Sequence, residues 1–375
     1  MKIMTILGTR PEIIRLSEVI RILDKYATKH WLVHTGQNYD DRLSQLFFDE
    51  LGVRKPDVHM GVRATSFGGQ IGQIMERCQA LFLEYRPDRL LILGDTNSGL
   101  AAVIARRLGI PVYHMEAGNR CYDDRVPEEV NRRVIDHSSS VLMPYTNRSR
   151  ENLLAEGFSG NRVYVIGNPI KQVIDKFSGQ IAASAALEQL GLERGKFFLV
   201  TLHRAENVDV EDRLRSILDG LALLHEEYGL PVVCSLHPRT RSKMEAFGID
   251  LKRVRVTFLE PLGFFDFIRL EQSAFCLLSD SGTVQEEACI FGVPNVTLRD
   301  VTERPETLEC GSNILCGSAA SSIVAAARLV TGLRGTWKPP SEYLAQDVAE
   351  TVGKLILGYR IPDLAESTWR ERNHT

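Results

Sequence analysis

No apolar run in the 375 residues approaches the ~20 that a membrane-spanning helix needs, which excludes an integral membrane protein of that type. Positive charge is not in excess: 45 Lys and Arg face 48 Asp and Glu, so no nucleic-acid surface is expected. The seven cysteines, at 78, 121, 234, 276, 289, 310 and 316, form no Cys-x-x-Cys pair, which excludes a zinc cluster or a disulfide framework and leaves buried thiols. The loop after the first apolar run matches neither a GxGxxG nor a P-loop pattern, which argues against nicotinamide- and ATP-dependent chemistry. No cofactor and no metal are therefore expected. The N-terminal MKIMTILGTRPEII reaches Gly8 and Arg10 too soon for a signal peptide and reads as a first buried strand, implying a cytoplasmic protein.

What the chain does contain is a rhythm. Short β-branched runs, KIMTIL at 2–7, WLVHT at 31–35, RLLIL at 89–93, PVYH at 111–114, SVLM at 140–143 and VYVI at 163–166, alternate with helical patterns. A second series follows: FFLVT at 197–201, PVVCS at 231–235, VRVTF at 254–258, AFCLLS at 274–279 and PNVTL at 294–298. Strands alternating with helices predict parallel sheets covered on both faces, here two α/β domains in tandem. The Gly167-Asn168-Pro169 break, or the alanine-rich helix that follows it, places the boundary; taken at the break it gives domains 1–168 and 169–350 and a C-terminal helix over 351–375 that returns to the first domain.

In open parallel sheets ligands bind beyond the carboxyl ends of the strands, and the residues there are unusually polar. Arg10 follows the first run, Asp95 the third and Glu116 the fourth, with Glu128 close behind. Three acidic positions interleaved with Arg120, Arg125 and Arg132 predict an acid–base site, in which crowding raises a carboxyl pKa. The competing reading is that Asp95 and Glu128 merely cap helices. In the second half His203 and His237 follow successive strands, each with an arginine near, and Ser279-Asp280-Ser281-Gly282 opens a helix where backbone amides and the Ser281 hydroxyl can cradle a diphosphate. Glu287, on the second turn of that helix, can accept the hydroxyls of a ribose.

These residues resemble the non-hydrolysing UDP-N-acetylglucosamine 2-epimerase family. The resemblance is carried by GTRPE at 8–12, GDTNS at 94–98, HMEAGNR at 114–120, VPEEVNRR at 126–133, HRAEN at 203–207, LHPRT at 236–240, SDSGTVQEEA at 279–288 and RDVTERPE at 299–306. It implies two Rossmann-like domains in a GT-B-like arrangement, with the active site in the interdomain cleft, and a homodimer. It further implies that Asp95, Glu116 and Glu128 flank the sugar as catalytic groups with His203. Arg10, Ser281 and Gly282 would meet the diphosphate, Glu287 the ribose and Phe267 the uracil, with Arg120 and Arg132 among the substrate-binding groups.

The reaction so implied removes the carbon-2 proton with anti elimination of UDP, gives a 2-acetamidoglucal, and returns UDP with reprotonation on the other face. UDP-N-acetylglucosamine is the expected substrate and UDP-N-acetylmannosamine the product, for surface polysaccharide. Arg15, where that branch commonly has lysine, and the GNRCYDDRVPEE run at 118–129 look more like the branch that forms UDP-N-acetyl-L-fucosamine. Asn38 and Ala205 depart from the pattern of a second, activating nucleotide site, of which Gln37 and His237 match. A GT-B glycosyltransferase, a hydrolysing epimerase and a sugar-nucleotide sensor are the alternatives from other classes.

Overall fold

The computed structural model describes residues 1–37, 41–64, 66–250, 254–335 and 337–358. They form two compact units: Met1–Val173 together with the stretch that begins at Ser341, and Ile174–Pro340.

The first unit is built on six parallel strands, β1 (Lys2–Leu7), β2 (Lys29–His34), β3 (Val58–His59), β4 (Arg89–Leu93), β5 (Val112–Met115) and β6 (Val141–Met143), in the order β3-β2-β1-β4-β5-β6. β4, β5 and β6 are buried at every residue, the signature of a sheet covered on both faces. Met4, Ile6, Leu90 and Ile92 pack with Ile74, Phe82 and Ile135. The helix Arg10–Tyr26 starts with proline in its first turn, where no N–H partner is lost, and buries the stripe Ile13, Leu16, Ile20 and Leu23. The helix Val348–Gly358 packs on it so closely that a Cβ on Gly353 would lie 2.5 Å from the Ile22 side chain, and buried Arg89 donates to the Ile356 carbonyl. Of the segment 351–375, residues 359–375 lie outside the described residues.

The second unit repeats the plan with β7 (Phe198–Leu202), β8 (Val232–Leu236), β9 (Thr257–Leu259), β10 (Cys276–Ser279), β11 (Asn295–Thr297) and β12 (Asn313–Leu315), ordered β12-β11-β10-β7-β8-β9. Val200, Leu202, Leu221, Leu278 and Val296 lie at the centre of its larger core. Counted from its own first strand, each sheet runs outward on one side through its second and third strands and on the other through its fourth to sixth. Each therefore has one topological switch point, between β1 and β4 and between β7 and β10, the place where such sheets hold ligands.

Two elements differ from the sequence reading. The run at 163–166 is not a sixth strand: it makes a single bridge, Leu142 with Val163, because Pro144 has no N–H with which to continue the ladder. β3 and β12, two and three residues long, are the strands that the apolar patterning did not reveal. No helix among the described residues is long and apolar enough to cross a membrane.

Candidate active site

The switch point of the first sheet is organised by a carboxyl that sequence reading passed over. Glu12, in the first turn of the helix after β1, is buried and accepts from the Gly8 N–H at 3.0 Å, the Thr9 hydroxyl at 2.7 Å and the Thr96 hydroxyl at 3.2 Å. It thus ties the loop after β1 to the loop after β4. Burial outweighs those hydrogen bonds and pushes its pKa up to about 7. Gly8 is required here: a Cβ would lie 2.2 Å from the Thr35 hydroxyl and 2.3 Å from that of Ser98. Arg10 follows, its guanidinium 5.8 Å from the Phe47 ring.

Asp95, Glu116 and Glu128 come from three neighbouring elements of this unit. Asp95 follows β4, Glu116 follows β5, and Glu128 begins the helix Pro127–Ser138. Arg132, one turn beyond Glu128 on the same helix, donates through Nε to Asp95 at 2.9 Å and through an η nitrogen to Glu129 at 2.7 Å. Asn131 adds a bond to the Asp95 carbonyl at 3.0 Å. Glu116 accepts from Arg15 at 2.8 Å, and Arg15, 2% exposed, lies 5.5 Å from the Tyr145 ring. Asp95 and Glu116 each face a nearly buried guanidinium.

Glu116 has φ +66°, the left-handed region that side chains rarely adopt, and Gly118 follows at φ +81°. A buried network beneath holds this turn. The Gly118 N–H donates to Asp136 at 3.1 Å, and Asp136 also meets His114 at 2.8 Å. The other His114 nitrogen faces the Gly94 carbonyl at 2.9 Å, so each ring nitrogen faces an acceptor.

Arg120, expected among the substrate-binding groups, is part of this network. Its side chain is 0% exposed, and its donors reach Asp136 at 2.8 Å, both oxygens of Glu156 and the Asn119 carbonyl. Arg132, expected in the same group, pairs with Asp95 and Glu129. These partners are not legible in the sequence, because Asp136 and Glu156 lie 16 and 36 residues from Arg120.

The second switch point centres on Asp280, another residue whose role the sequence did not reveal, although it sits inside the SDSG run. Its carboxylate accepts the N–H groups of His203 and Arg204 at about 3 Å and lies 3.1 Å from Nδ1 of His203. Burial alone would raise its pKa; the His203 ring and the backbone N–H groups overcome that and hold it at about 2. A depressed carboxyl stabilises the fold above its unfolded value of 3.8 and loses that contribution as pH falls toward 2, about 2 kcal/mol over the window. Acid unfolding of wild type between pH 4 and 2 should therefore be steeper than that of Asp280→Asn, followed by circular dichroism. Equal slopes would contradict the arrangement.

His203 pairs with Asp280 through Nδ1, and its ring lies 5.7 Å from that of His237. His237 accepts the Arg239 N–H at Nδ1, so its neutral ring carries the proton on Nε2. The two imidazoles expected from the strand ends are thus together. Ser281 is the N-cap of the helix Gly282–Phe291; its N–H is taken by Ser279 at 2.9 Å, and its hydroxyl lies 3.1 Å from that of Thr283. The amides after Ser281 are the ones that a helix N-terminus offers to an anion. Gly282 allows the RDVTERPE segment to close beneath: a Cβ would lie 2.5 Å from Glu303, which pairs with Arg299 at 2.8 Å. Glu287 is buried on the same helix, and half-buried Phe267 lies on the helix Phe264–Ser273. Gln37 accepts the Ser98 N–H at 3.1 Å; Asn38 lies outside the described residues.

The family model of UDP-N-acetylglucosamine 2-epimerase matches residues 21–357. A UDP-N-acetylglucosamine 2-epimerase of Methanocaldococcus jannaschii is 39% identical over 350 residues, 91% of this chain and 95% of that one. A UDP-2,3-diacetamido-2,3-dideoxy-D-glucuronate 2-epimerase of Pseudomonas aeruginosa is 39% identical over 335 residues, 88% of this chain and 93% of the relative. The crystal structure of the M. jannaschii UDP-GlcNAc 2-epimerase in complex with UDP-GlcNAc and UDP matches with a TM-score of 0.91 at 37% identity, over 95% of this chain and 99% of that one. The α/β class with two Rossmann-like units of GT-B-like type is shared with that structure. This chain belongs to the UDP-N-acetylglucosamine 2-epimerase family and is an isomerase.

Proposed function

We propose that the chain interconverts UDP-N-acetylglucosamine and UDP-N-acetylmannosamine, supplying a precursor of surface polysaccharide. The observation that carries this reading is a division of chemistry between two switch points of the same design. Asp95, Glu116 and Glu128 belong to the first, whereas the His203–Asp280 pair, His237 and the helix N-terminus after Ser281 belong to the second.

The carbon-2 proton of a 2-acetamido sugar is weakly acidic, so the departing diphosphate must bear much of the developing charge. One carboxylate of the first unit takes that proton as the bond from carbon 1 to the UDP oxygen breaks, and the electron pair becomes the carbon 1–carbon 2 double bond of a 2-acetamidoglucal. Protonation of the opposite face by a second carboxyl, with return of UDP to carbon 1, completes the inversion. On this reading Arg10, His203 and the Ser281-Gly282 turn hold UDP, with Phe267 against uracil and Glu287 at the ribose. Arg132 and Arg15 keep Asp95 and Glu116 in place.

A second substrate reading, a UDP-2,3-diacetamido uronic sugar, is favoured by the 39% identity to the P. aeruginosa relative, equal to that of the M. jannaschii one. Incubation of purified protein with each UDP-sugar, including the 6-deoxy talo compound, and product analysis by NMR separates the readings. Formation of UDP-N-acetylmannosamine from the gluco epimer is expected; turnover of another sugar nucleotide alone would overturn the first choice.

A further inference from the structure

Glu271 lies on the helix Phe264–Ser273, one turn beyond Phe267 and so on the same helical face, and is 0% exposed. Among the described residues both of its carboxyl oxygens are enclosed without a hydrogen-bond donor. The group that it faces is another carboxylate, that of Glu287, 5% exposed on the packed helix Gly282–Phe291. Two buried carboxyls in contact cannot both be ionised, and a lone buried carboxylate without a cation is strongly disfavoured. Burial, and then the Glu287 charge, push Glu271 well above the usual carboxylate range. A carboxyl that keeps its proton there is a donor toward Glu287.

We propose that Glu271 is a positioning residue for nucleotide recognition: as a neutral acid it donates a hydrogen bond to Glu287 and turns the remaining lone pairs of Glu287 toward the two ribose hydroxyls of a nucleoside diphosphate. The proposal rests on the reading of the second unit as the holder of UDP. A Glu271 that only filled space would be replaced by an apolar residue without effect on ribose recognition.

The test is calorimetric titration of wild type, Glu271→Gln and Glu271→Leu with UDP and with 2′-deoxy-UDP. Hydrogen bonds to a charged group contribute about 1.5–3 kcal/mol, so wild type should prefer UDP by about tenfold or more. Glu271→Gln, which keeps a donor, should retain that preference to within about twofold. Glu271→Leu should reduce it to about threefold or less, with 2′-deoxy-UDP bound as in wild type. An unchanged preference in Glu271→Leu overturns the positioning role. If that variant does not fold, loss of preference in Glu271→Gln does the same. A wild type that binds both nucleotides equally overturns the ribose assignment of Glu287, whereas one that binds neither overturns the reading of the second unit itself.

Discussion

Asp95→Asn, Glu116→Gln and Glu128→Gln are each expected to lower turnover of the UDP-sugar by at least about 10²-fold while changing UDP affinity by less than about threefold, since positioned general acids and bases contribute about 10²–10⁴-fold. A factor of 10² corresponds to about 2.7 kcal/mol of transition-state stabilisation. The affinity is spared because the groups assigned to UDP, apart from Arg10, lie in the second unit. Steady-state rates beside calorimetric titration with UDP check both halves. Glu129 provides the internal contrast. It is buried, accepts the N–H groups of Cys121 and Tyr122 at 3.0 and 3.1 Å, and pairs with Arg132 at 2.7 Å. Its replacement by Gln should lower stability, since breaking a buried pair costs about 3–5 kcal/mol. Unchanged activity in all three carboxylate variants would remove the acid–base assignment.

Gly118→Ala should lower the stability of the first unit by about 3 kcal/mol or more, combining strain at positive φ with overpacking. Two observations point the same way. The backbone holds φ +81°, and a Cβ would stand 2.2 Å from the Ser149 carbonyl oxygen and 2.8 Å from Leu153. Neither neighbour is a free end: Ser149 and Leu153 belong to the helix Asn147–Ala155, and Leu153 is fully buried. The same methyl would disturb the turn that presents Glu116, so turnover should fall with stability. Gly72→Ala is the control. It sits inside the helix Phe67–Tyr85 with nothing within 4 Å of a Cβ, and should be neutral or stabilising by up to about 1 kcal/mol. Urea unfolding of the two variants against wild type decides. Equal stability of all three would contradict the close approach at Gly118.

Much of this architecture is legible in the sequence because parallel strands buried on both faces are written as unbroken apolar runs, and because the polar residues just after them must lie on one rim. Asp95, Glu116, His203 and Ser281 stand just after strands, as that rule places them. What escaped has a common cause: its meaning depends on partners remote in sequence. Glu12 reads as an ordinary first-turn acid until Thr96, 84 residues on, is seen against it. The partners of Arg120, Asp136 and Glu156, are likewise distant in sequence. Glu128 and Glu129 are adjacent and chemically alike, and only the helical rotation buries one of them. The run at 163–166 has every mark of a strand, and the proline that interrupts its ladder belongs to the neighbouring segment.

The central claim is proton exchange at carbon 2 coupled to departure of UDP. The most direct measurement is incubation of the protein with UDP-N-acetylglucosamine in D2O without any acceptor, followed by NMR of both epimers. One deuteron is expected at carbon 2 in the manno product and, as equilibrium is approached, in the gluco substrate. A manno product that retains the original proton, or a substrate left unchanged, would contradict it.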